Sequence, residues 1–226
     1  MPDPAEPADA RAADPADHYF TARPASPSER RPLRVRLAGR ELELETARGV
    51  FSPDRLDLGT RVLLETVPAP PTSGDLLDLG CGWGPVALTL ALTSPAARVW
   101  AVDVNERALD LVRRNADVLG LANVRAVTPD DVPADVALAA LWSNPPIRVG
   151  KVALHEMLLR WLPRLAPGAQ AHLVVQRNLG ADSLQRWLAE QLGDAAEVTR
   201  VETEKGFRVL RVDQLGSTTA ASAARA

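Results

Sequence analysis

Cysteine is all but missing from this chain of 226 residues. Cys81 stands alone, so no internal disulfide can form, which suits a reducing compartment. Lysine is nearly as scarce: only Lys151 and Lys205 occur, and the rest of the 26 cationic side chains are arginine. No apolar run approaches the ~20 residues that a membrane-spanning helix needs. The N-terminus, MPDPAEPADARAADPAD, lacks the apolar stretch of a secretory signal. No His or second Cys stands at metal-ligand spacing from Cys81, so no metal is expected. The expectation from these absences is a cytoplasmic protein with no membrane partner. What is present, 46% hydrophobic and 24% charged residues, is the balance of a globular domain.

The formal net charge is -3, which argues against a polycation, but the charge is unevenly placed. Residues 1–17 carry Asp3, Glu6, Asp9, Asp14 and Asp17 against Arg11. The following segment carries Arg23, Arg30, Arg31, Arg34, Arg36 and Arg40 against Glu29. Such a cluster reads either as a surface for nucleic-acid phosphates or as a solvated strand face.

Residues 1–16 and 214–226 are small, polar and without periodicity, and are expected to be disordered tails. Residues 17–50 form an extension in which LRVRLAGRELELET alternates apolar and charged residues around Ala38-Gly39, a β-hairpin signal. Residues 51–213 form the main domain. SPDRLDLGTRVLLETV reads as a helix with Ser52 as N-cap and Pro53 at its first position. Strands and helices then alternate. DLLDLG, RVWAVDV, NVRAVT, DVALAALW and AQAHLVVQ read as strands. GPVALTLALT, NERALDLVRRNADVLG, LHEMLLRWLPRL and SLQRWLAEQLG read as helices. AEVTRVETEKGFRVLRV closes the chain as two strands joined at Lys205-Gly206. This pattern specifies an α/β fold: a Rossmann-like, doubly wound, mostly parallel seven-stranded sheet with one antiparallel strand, plus the short N-terminal β-hairpin.

In such sheets ligands bind beyond the carboxyl ends of the strands, where strand order reverses. The first of the alternating strands ends in Asp78-Leu79-Gly80-Cys81-Gly82-Trp83-Gly84. Alternate glycines let the backbone turn sharply and approach a ligand closely. The second strand ends on Asp103, with Val104 beside it, about twenty residues on, the spacing at which a carboxylate reaches a ribose diol. The glycine spacing G-x-G-x-G differs from the pyrophosphate-binding G-x-G-x-x-G, and Asp78 would repel a diphosphate but welcome a cation. DLLDLGCGWGPVAL with VWAVDVNERAL resembles the cofactor half of the class I methyltransferases that use S-adenosylmethionine. That resemblance implies that Gly80 and Gly82 line the methionine portion, with Cys81 a small residue in the tight turn of the same cofactor loop, that Asp103 meets the ribose, and that Asp130 or Asp131 meets the adenine. It also places Phe51, Asp57, Gly59 and Thr60 in a wall over the cofactor.

The fourth strand ends in Ser143-Asn144-Pro145-Pro146-Ile147. Two prolines cannot extend a ladder or a helix and leave a stiff corner. An exocyclic amine on a base is a poor nucleophile because its lone pair is delocalised into the ring. Two acceptors, the Asn144 side-chain oxygen and the Pro145 carbonyl, can orient its N–H bonds and free that lone pair, a form of catalysis by positioning and preorganised dipoles. Asn-Pro-Pro followed by a fourth residue is shared by methyltransferases of adenine, guanine N2 and protein glutamine. That fourth residue is commonly aromatic; here it is Ile147, which covers a base by apolar contact only. SNPPIRVGK with HYFTARPAS, GVFSPDRLDLGTRVLL and KGFRVL resembles the small-subunit ribosomal RNA guanine-N2 methyltransferase family over about residues 18–212, in its single-domain form. The implied partner is ribosomal RNA or the small ribosomal subunit. Arg148 and Lys151 follow the corner and are candidates for backbone phosphates, as is the arginine-rich hairpin. Gln176 and the turn Lys205-Gly206-Phe207 are expected on the same rim. Lys205 would meet a phosphate and Phe207 would stack on a base, or the turn is a plain hairpin with a core phenylalanine. Two other readings stay open: methylation of a protein glutamine or small-molecule amine, and a non-catalytic cofactor-binding factor for ribosome assembly.

Overall fold

In a computed structural model of the protein, residues 29–216 are described. The expected acidic tail, the start of the extension (17–28) and residues 217–226 lie outside the described residues. The hairpin is formed by β1 (Arg30–Leu37) and β2 (Arg40–Ala47), joined by a two-residue turn in which Ala38 and Gly39 both have positive φ. That turn matches the right-handed twist of the strands and fixes their register. Leu33 lies opposite Leu44 and Val35 opposite Leu42, so one face is apolar. It packs on Trp83, Leu88, Leu111 and Ala116. The buried Asn115 pins the hairpin: its Oδ1 accepts from the Glu45 amide at 2.7 Å, and its Nδ2 donates to the Glu45 and Trp83 carbonyls.

The main sheet has seven strands: β3 (Ser73–Leu79), β4 (Ala96–Val102), β5 (Val124–Val127), β6 (Leu138–Ser143), β7 (Leu165–Gln176), β8 (Ala196–Glu204) and β9 (Phe207–Gln214). Their spatial order is β5-β4-β3-β6-β7-β9-β8. All neighbouring pairs are parallel except those of β9, which runs antiparallel to both β7 and β8. The expected single antiparallel strand is therefore β9. Chain order reverses between β3 and β6, and that is where a crevice must open.

Helices α1 (Leu58–Thr66), α2 (Pro85–Thr93) and α3 (Glu106–Leu119) cover one face, with Leu63, Leu90 and Val112 against Leu76 and Val99. Helices α4 (Lys151–Trp161) and α5 (Ala181–Leu192) cover the other, where Leu158, Trp161 and Leu188 meet Leu77, Leu141 and Leu173. The alternation of Leu76 and Leu77 between the two faces is the period-2 side-chain geometry of a strand. Helix α2 is buried from Pro85 through Ala91, lying between the sheet, α3 and the hairpin, which is why its sequence is apolar all round. Asn105 caps α3 by accepting from the amides of Arg107 and Ala108, and Gly120 ends it in the left-handed conformation. No helix among the described residues is long and apolar enough to cross a membrane.

Three expected elements differ. The helix expected from Ser52 starts at Leu58, and its N-cap is Asp57, whose carboxylate accepts from the Thr60 amide at 3.1 Å. Ser52 has positive φ and its hydroxyl donates to the Arg55 carbonyl, so Ser52-Pro53 begins a turn instead. Helix α4 begins at Lys151 and passes into a 3-10 turn at Leu162–Arg164, because Pro163 has no amide hydrogen to continue an α-helix. Strand β7 takes in Leu165 to Gly168 as well as the expected stretch.

Candidate active site

The carboxyl ends of β3, β4 and β6 open into one cavity of about 570 Å3. Leu79 ends β3, Gly80 and Gly82 come from the loop after it, and Asp103 and Val104 follow the end of β4. Asn144, Pro145 and Pro146 come from the end of β6, Phe51 closes one side, and α4 closes another. Gly80 and Gly82 have φ of 76° and 55°, a region in which any other residue is strained. A Cβ on Gly80 would lie 3.5 Å from the Pro146 ring, and one on Gly82 would lie 3.9 Å from Phe51. The loop therefore faces the proline corner across a gap that its missing side chains keep open.

Asp103 is held by the loop it faces. Its Oδ2 accepts from the Gly82 amide at 2.9 Å and its Oδ1 from the Asn105 amide at 2.9 Å. Burial raises its pKa, while the amides of Asn105, Gly82 and Val104 pull it back down. Each carboxylate oxygen retains a lone pair for a hydroxyl donor. Phe51 is set over the cavity by its neighbours: the Gly49 carbonyl accepts from Asn105 Nδ2 at 2.7 Å, and the Ser52 carbonyl from Trp83 Nε1 at 3.2 Å.

Beside the main cavity lies a small hollow of about 20 Å3, bounded by Asp57, Thr60, Asp78, Cys81 and Asn144, room for about one water. Asp78 is fully buried and accepts from the Ala87 amide in the first turn of α2 at 2.8 Å. Burial pushes its pKa up to about 8, the Ala87 amide opposes this, and the charge of Asp103 adds to it. The Cys81 thiol is likewise raised by burial, which makes it an inert small residue in a tight turn.

The Asn144 side chain is tied down. Its Nδ2 donates to Asp57 Oδ2 at 2.9 Å and to Thr60 Oγ1 at 3.0 Å. The Pro145 carbonyl accepts from the Ile147 amide at 2.8 Å, in an inverse γ-turn centred on Pro146 (φ -73°, ψ 76°). One of the two lone pairs of the Pro145 carbonyl is thus used within the corner, and one remains.

The residues that match belong to a known family. The methyltransferase small domain family matches residues 41–211. This chain is a member of it. The protein is an S-adenosylmethionine-dependent methyltransferase. It is 32% identical over 203 residues to protein YbxB of Bacillus subtilis, covering 88% of this chain and all of that one. It is 39% identical over 141 residues to ribosomal RNA small subunit methyltransferase C of Aeromonas hydrophila, covering 62% of this chain and 39% of that one. The methyltransferase thus spans well under half the length of this second relative. A solved structure of a T. thermophilus 16S rRNA N2 methyltransferase with AdoMet and guanosine matches it with a TM-score of 0.71 at 23% identity. That match covers 84% of this chain and 52% of the other, and carries the fold.

Among the residues expected at the site, Phe51, Gly80, Gly82, Asp103, Val104, Asn144, Pro145 and Pro146 meet in the main cavity. Asp57, Thr60, Asp78 and Cys81 border the small hollow. Others sit elsewhere. Gly59 is packed against Phe207: a Cβ there would lie 2.8 Å from the ring. Phe207 therefore braces α1, which favours the reading of it as a packing residue. Asp130 pairs with Arg160 at 2.8 Å, and Asp131 accepts from the Thr128 amide and hydroxyl. Neither acid lines the cavity, whose wall there is Pro129 and Arg160. Ile147 is half-buried against the core under α4. Lys205 is paired with Glu204 at 2.6 Å and lies 3.9 Å from Glu65. Gln176, at the end of β7, is exposed and opposite Phe207.

Among the described residues, four of the five hairpin arginines are ion-paired, and Arg40 at the turn is exposed without an ion pair. Arg34 pairs with Glu43 at 3.2 Å, Arg30 with Glu45 at 3.3 Å and Arg36 with Glu41 at 3.9 Å. Arg148, Lys151 and Arg177, in contrast, are exposed and carry no ion pair among the described residues. Sequence reasoning missed the contribution of α4, which lines the cavity with Ala153, Glu156, Met157 and Arg160. Their i, i+3, i+4, i+7 spacing is one face of a helix and was the available signal. Among the described residues no three His, Cys, Asp or Glu side chains gather as a metal site.

Proposed function

We propose that this methyltransferase modifies the exocyclic amino group of guanine, at N2, in ribosomal RNA. The observation that carries the reading is the Asn144 amide: with its nitrogen engaged by Asp57 and Thr60, only its oxygen is left to turn toward the cavity as an acceptor. The likeness to ribosomal RNA small subunit methyltransferase C supports the nucleic-acid target.

The cavity fits S-adenosylmethionine. Its volume, about 570 Å3, is within the usual range of about 300–1,000 Å3 for small-molecule sites. Gly80 and Gly82 leave the space of two absent side chains, Asp103 offers a carboxylate for ribose hydroxyls, and Val104, Ala108, Pro129 and Met157 provide apolar walls for adenine. When bound, the cofactor supplies an electrophilic methyl group on a sulfonium. Asn144 Oδ1 and the free lone pair of the Pro145 carbonyl accept the two N–H bonds of the substrate amine. This draws the nitrogen lone pair out of the ring. Pro145 and Pro146 keep these acceptors rigid, so little reorganisation is needed during reaction. Once alkylated, the nitrogen is acidic enough to lose its proton to water, and no strong base is required. The target base leaves its stack to enter the cavity, while Arg148, Lys151 and Arg177 on the rim hold flanking phosphates.

A second reading is methylation of a protein glutamine, which also presents a planar NH2 to two acceptors. It draws on 44% identity over 103 residues to the release factor glutamine methyltransferase of Chlorobaculum tepidum. Incubation of the purified protein with labelled S-adenosylmethionine and either ribosomal RNA or a protein fraction separates the two. Label in RNA is expected; label confined to protein overturns the RNA assignment.

A further inference from the structure

We propose that Asp57 and Thr60 are positioning residues that clamp and polarise the Asn144 amide, and that they do not act as contacts of the cofactor. The inference rests on the role given above to Asn144. Both acceptors of the Asn144 nitrogen lie in the first turn of α1: Asp57 is the N-cap, and Thr60, at 3% exposure, is three residues on. Asp57 Oδ2 receives two donors, the Thr60 amide at 3.1 Å and Asn144 Nδ2 at 2.9 Å. Thr60 Oγ1 receives the other bond from Asn144 Nδ2 at 3.0 Å.

Two consequences follow from this arrangement. An unanchored asparagine amide can rotate by half a turn and exchange its oxygen for its NH2 at nearly the same shape. Rotation here would aim Oδ1 at the Asp57 carboxylate, an acceptor facing an acceptor, so the clamp selects the single orientation in which Oδ1 is available to the substrate. The charge of Asp57 adds a second effect. A carboxylate accepting from an amide N–H draws positive character onto the nitrogen and shifts electron density to the oxygen, a polarisation that passes along hydrogen-bonded chains. Oδ1 then accepts the substrate N–H more strongly. The packing of Phe207 against Gly59 holds this first turn of α1 in place.

Asp57→Ser separates the clamp from the fold. Serine remains a good N-cap for the Thr60 amide but is too short to reach Asn144 as well. Asp57→Asn keeps an oxygen for both donors and removes the charge, and Thr60→Ser keeps the hydroxyl that Thr60→Val removes. Single-turnover transfer from tritiated S-adenosylmethionine to ribosomal RNA from cells lacking the protein is measured for each, beside calorimetric cofactor affinity. The expected result is a loss in rate of roughly ten- to hundredfold for Asp57→Ser and Thr60→Val, a smaller loss for Asp57→Asn, and near-full activity for Thr60→Ser, all with cofactor affinity unchanged. In an Asn144→Ala background, Asp57→Ser is expected to add no further loss, as for residues that act through one group. In the free protein, the Asn144 side-chain NH2 resonances are expected to exchange slowly and to lose that protection in Asp57→Ser. A weakened cofactor affinity, or a full additional loss in the Asn144→Ala background, overturns the clamp. A normal rate in Asn144→Ala by itself overturns the role of Asn144 instead, so the two failures are distinguishable.

Discussion

Replacing Asp78 by asparagine should stabilise the ligand-free protein, by an amount that depends on pH. The Asp78 carboxyl is 1% exposed and its pKa is pushed from 3.8 to about 8 by burial, against the pull of the Ala87 amide and with help from Asp103. Between these values the folded chain holds a proton that the unfolded chain has released. The contribution of Asp78 to stability therefore falls as pH rises from about 4 to about 8 and is flat beyond. The difference of about four units, at about 1.4 kcal/mol each, gives a ceiling of about 6 kcal/mol over the whole interval. The side chain introduced by Asp78→Asn does not titrate, and its amide oxygen can still accept from Ala87. Urea unfolding of both proteins from pH 4 to pH 9 should thus show the variant gaining on the wild type by several kcal/mol, with the gain levelling off near pH 8. The same proton should leave when a cationic cofactor binds. Calorimetry at pH 7 in buffers of different ionisation enthalpy should then report release of close to one proton by the wild type and none by the variant. A stability difference that stays constant across the pH range would mean that Asp78 is already ionised in the folded state, and the reasoning would fail.

Removing the carboxylate in Asp103→Ala should weaken S-adenosylmethionine binding at least tenfold, given about 1.5–3 kcal/mol for hydrogen bonds to a charged group; calorimetry with unchanged affinity would remove Asp103 from the cofactor site. Arg148→Ala with Lys151→Ala should lower the salt slope of RNA binding by about two, at about one per phosphate contact. Arg34→Ala with Arg36→Ala should leave it unchanged, because those side chains already face Glu43 and Glu41; the reverse outcome in filter binding would return the phosphates to the hairpin. His172 is buried and its pKa is lowered to about 4, by burial first and by Arg211 second. It stays neutral in the folded chain while the unfolded chain takes up a proton below about 6.5, so it should cost up to about 3 kcal/mol of stability as pH falls to 4. Denaturant midpoints of the wild type and His172→Gln that run parallel from pH 7 to pH 4 would contradict this.

The alternation of strands and helices was legible because each element carries its own punctuation. Asn105 and Gly120 bound α3, and the alternate glycines after β3 mark the sharp turn into α2 whatever the tertiary context. The start of α1 departs from the expected Ser52 for a physical reason. Ser52-Pro53 has the chemistry of a helix start, but the Ser52 hydroxyl closes a turn on Arg55 and its carbonyl is held by Trp83, 31 residues away. The hairpin charges were readable in principle: a two-residue turn at Ala38-Gly39 places Arg34 opposite Glu43 and Arg36 opposite Glu41. Two features had no local signal. The bonds of Asn144 to Thr60 and Asp57 join residues 84 and 87 apart. The ion pair that draws Asp130 to Arg160 likewise spans 30 residues, and only the packing of α4 over the loop after β5 brings it about.

The most direct test of the account is nucleoside mass spectrometry of ribosomal RNA methylated by the purified protein with deuterium-labelled S-adenosylmethionine, beside Asn144→Ala at equal cofactor occupancy. The account predicts labelled N2-methylguanosine from the wild type and a loss of nearly all of it in the variant. Label on any other nucleoside, or an undiminished yield from Asn144→Ala, would contradict it.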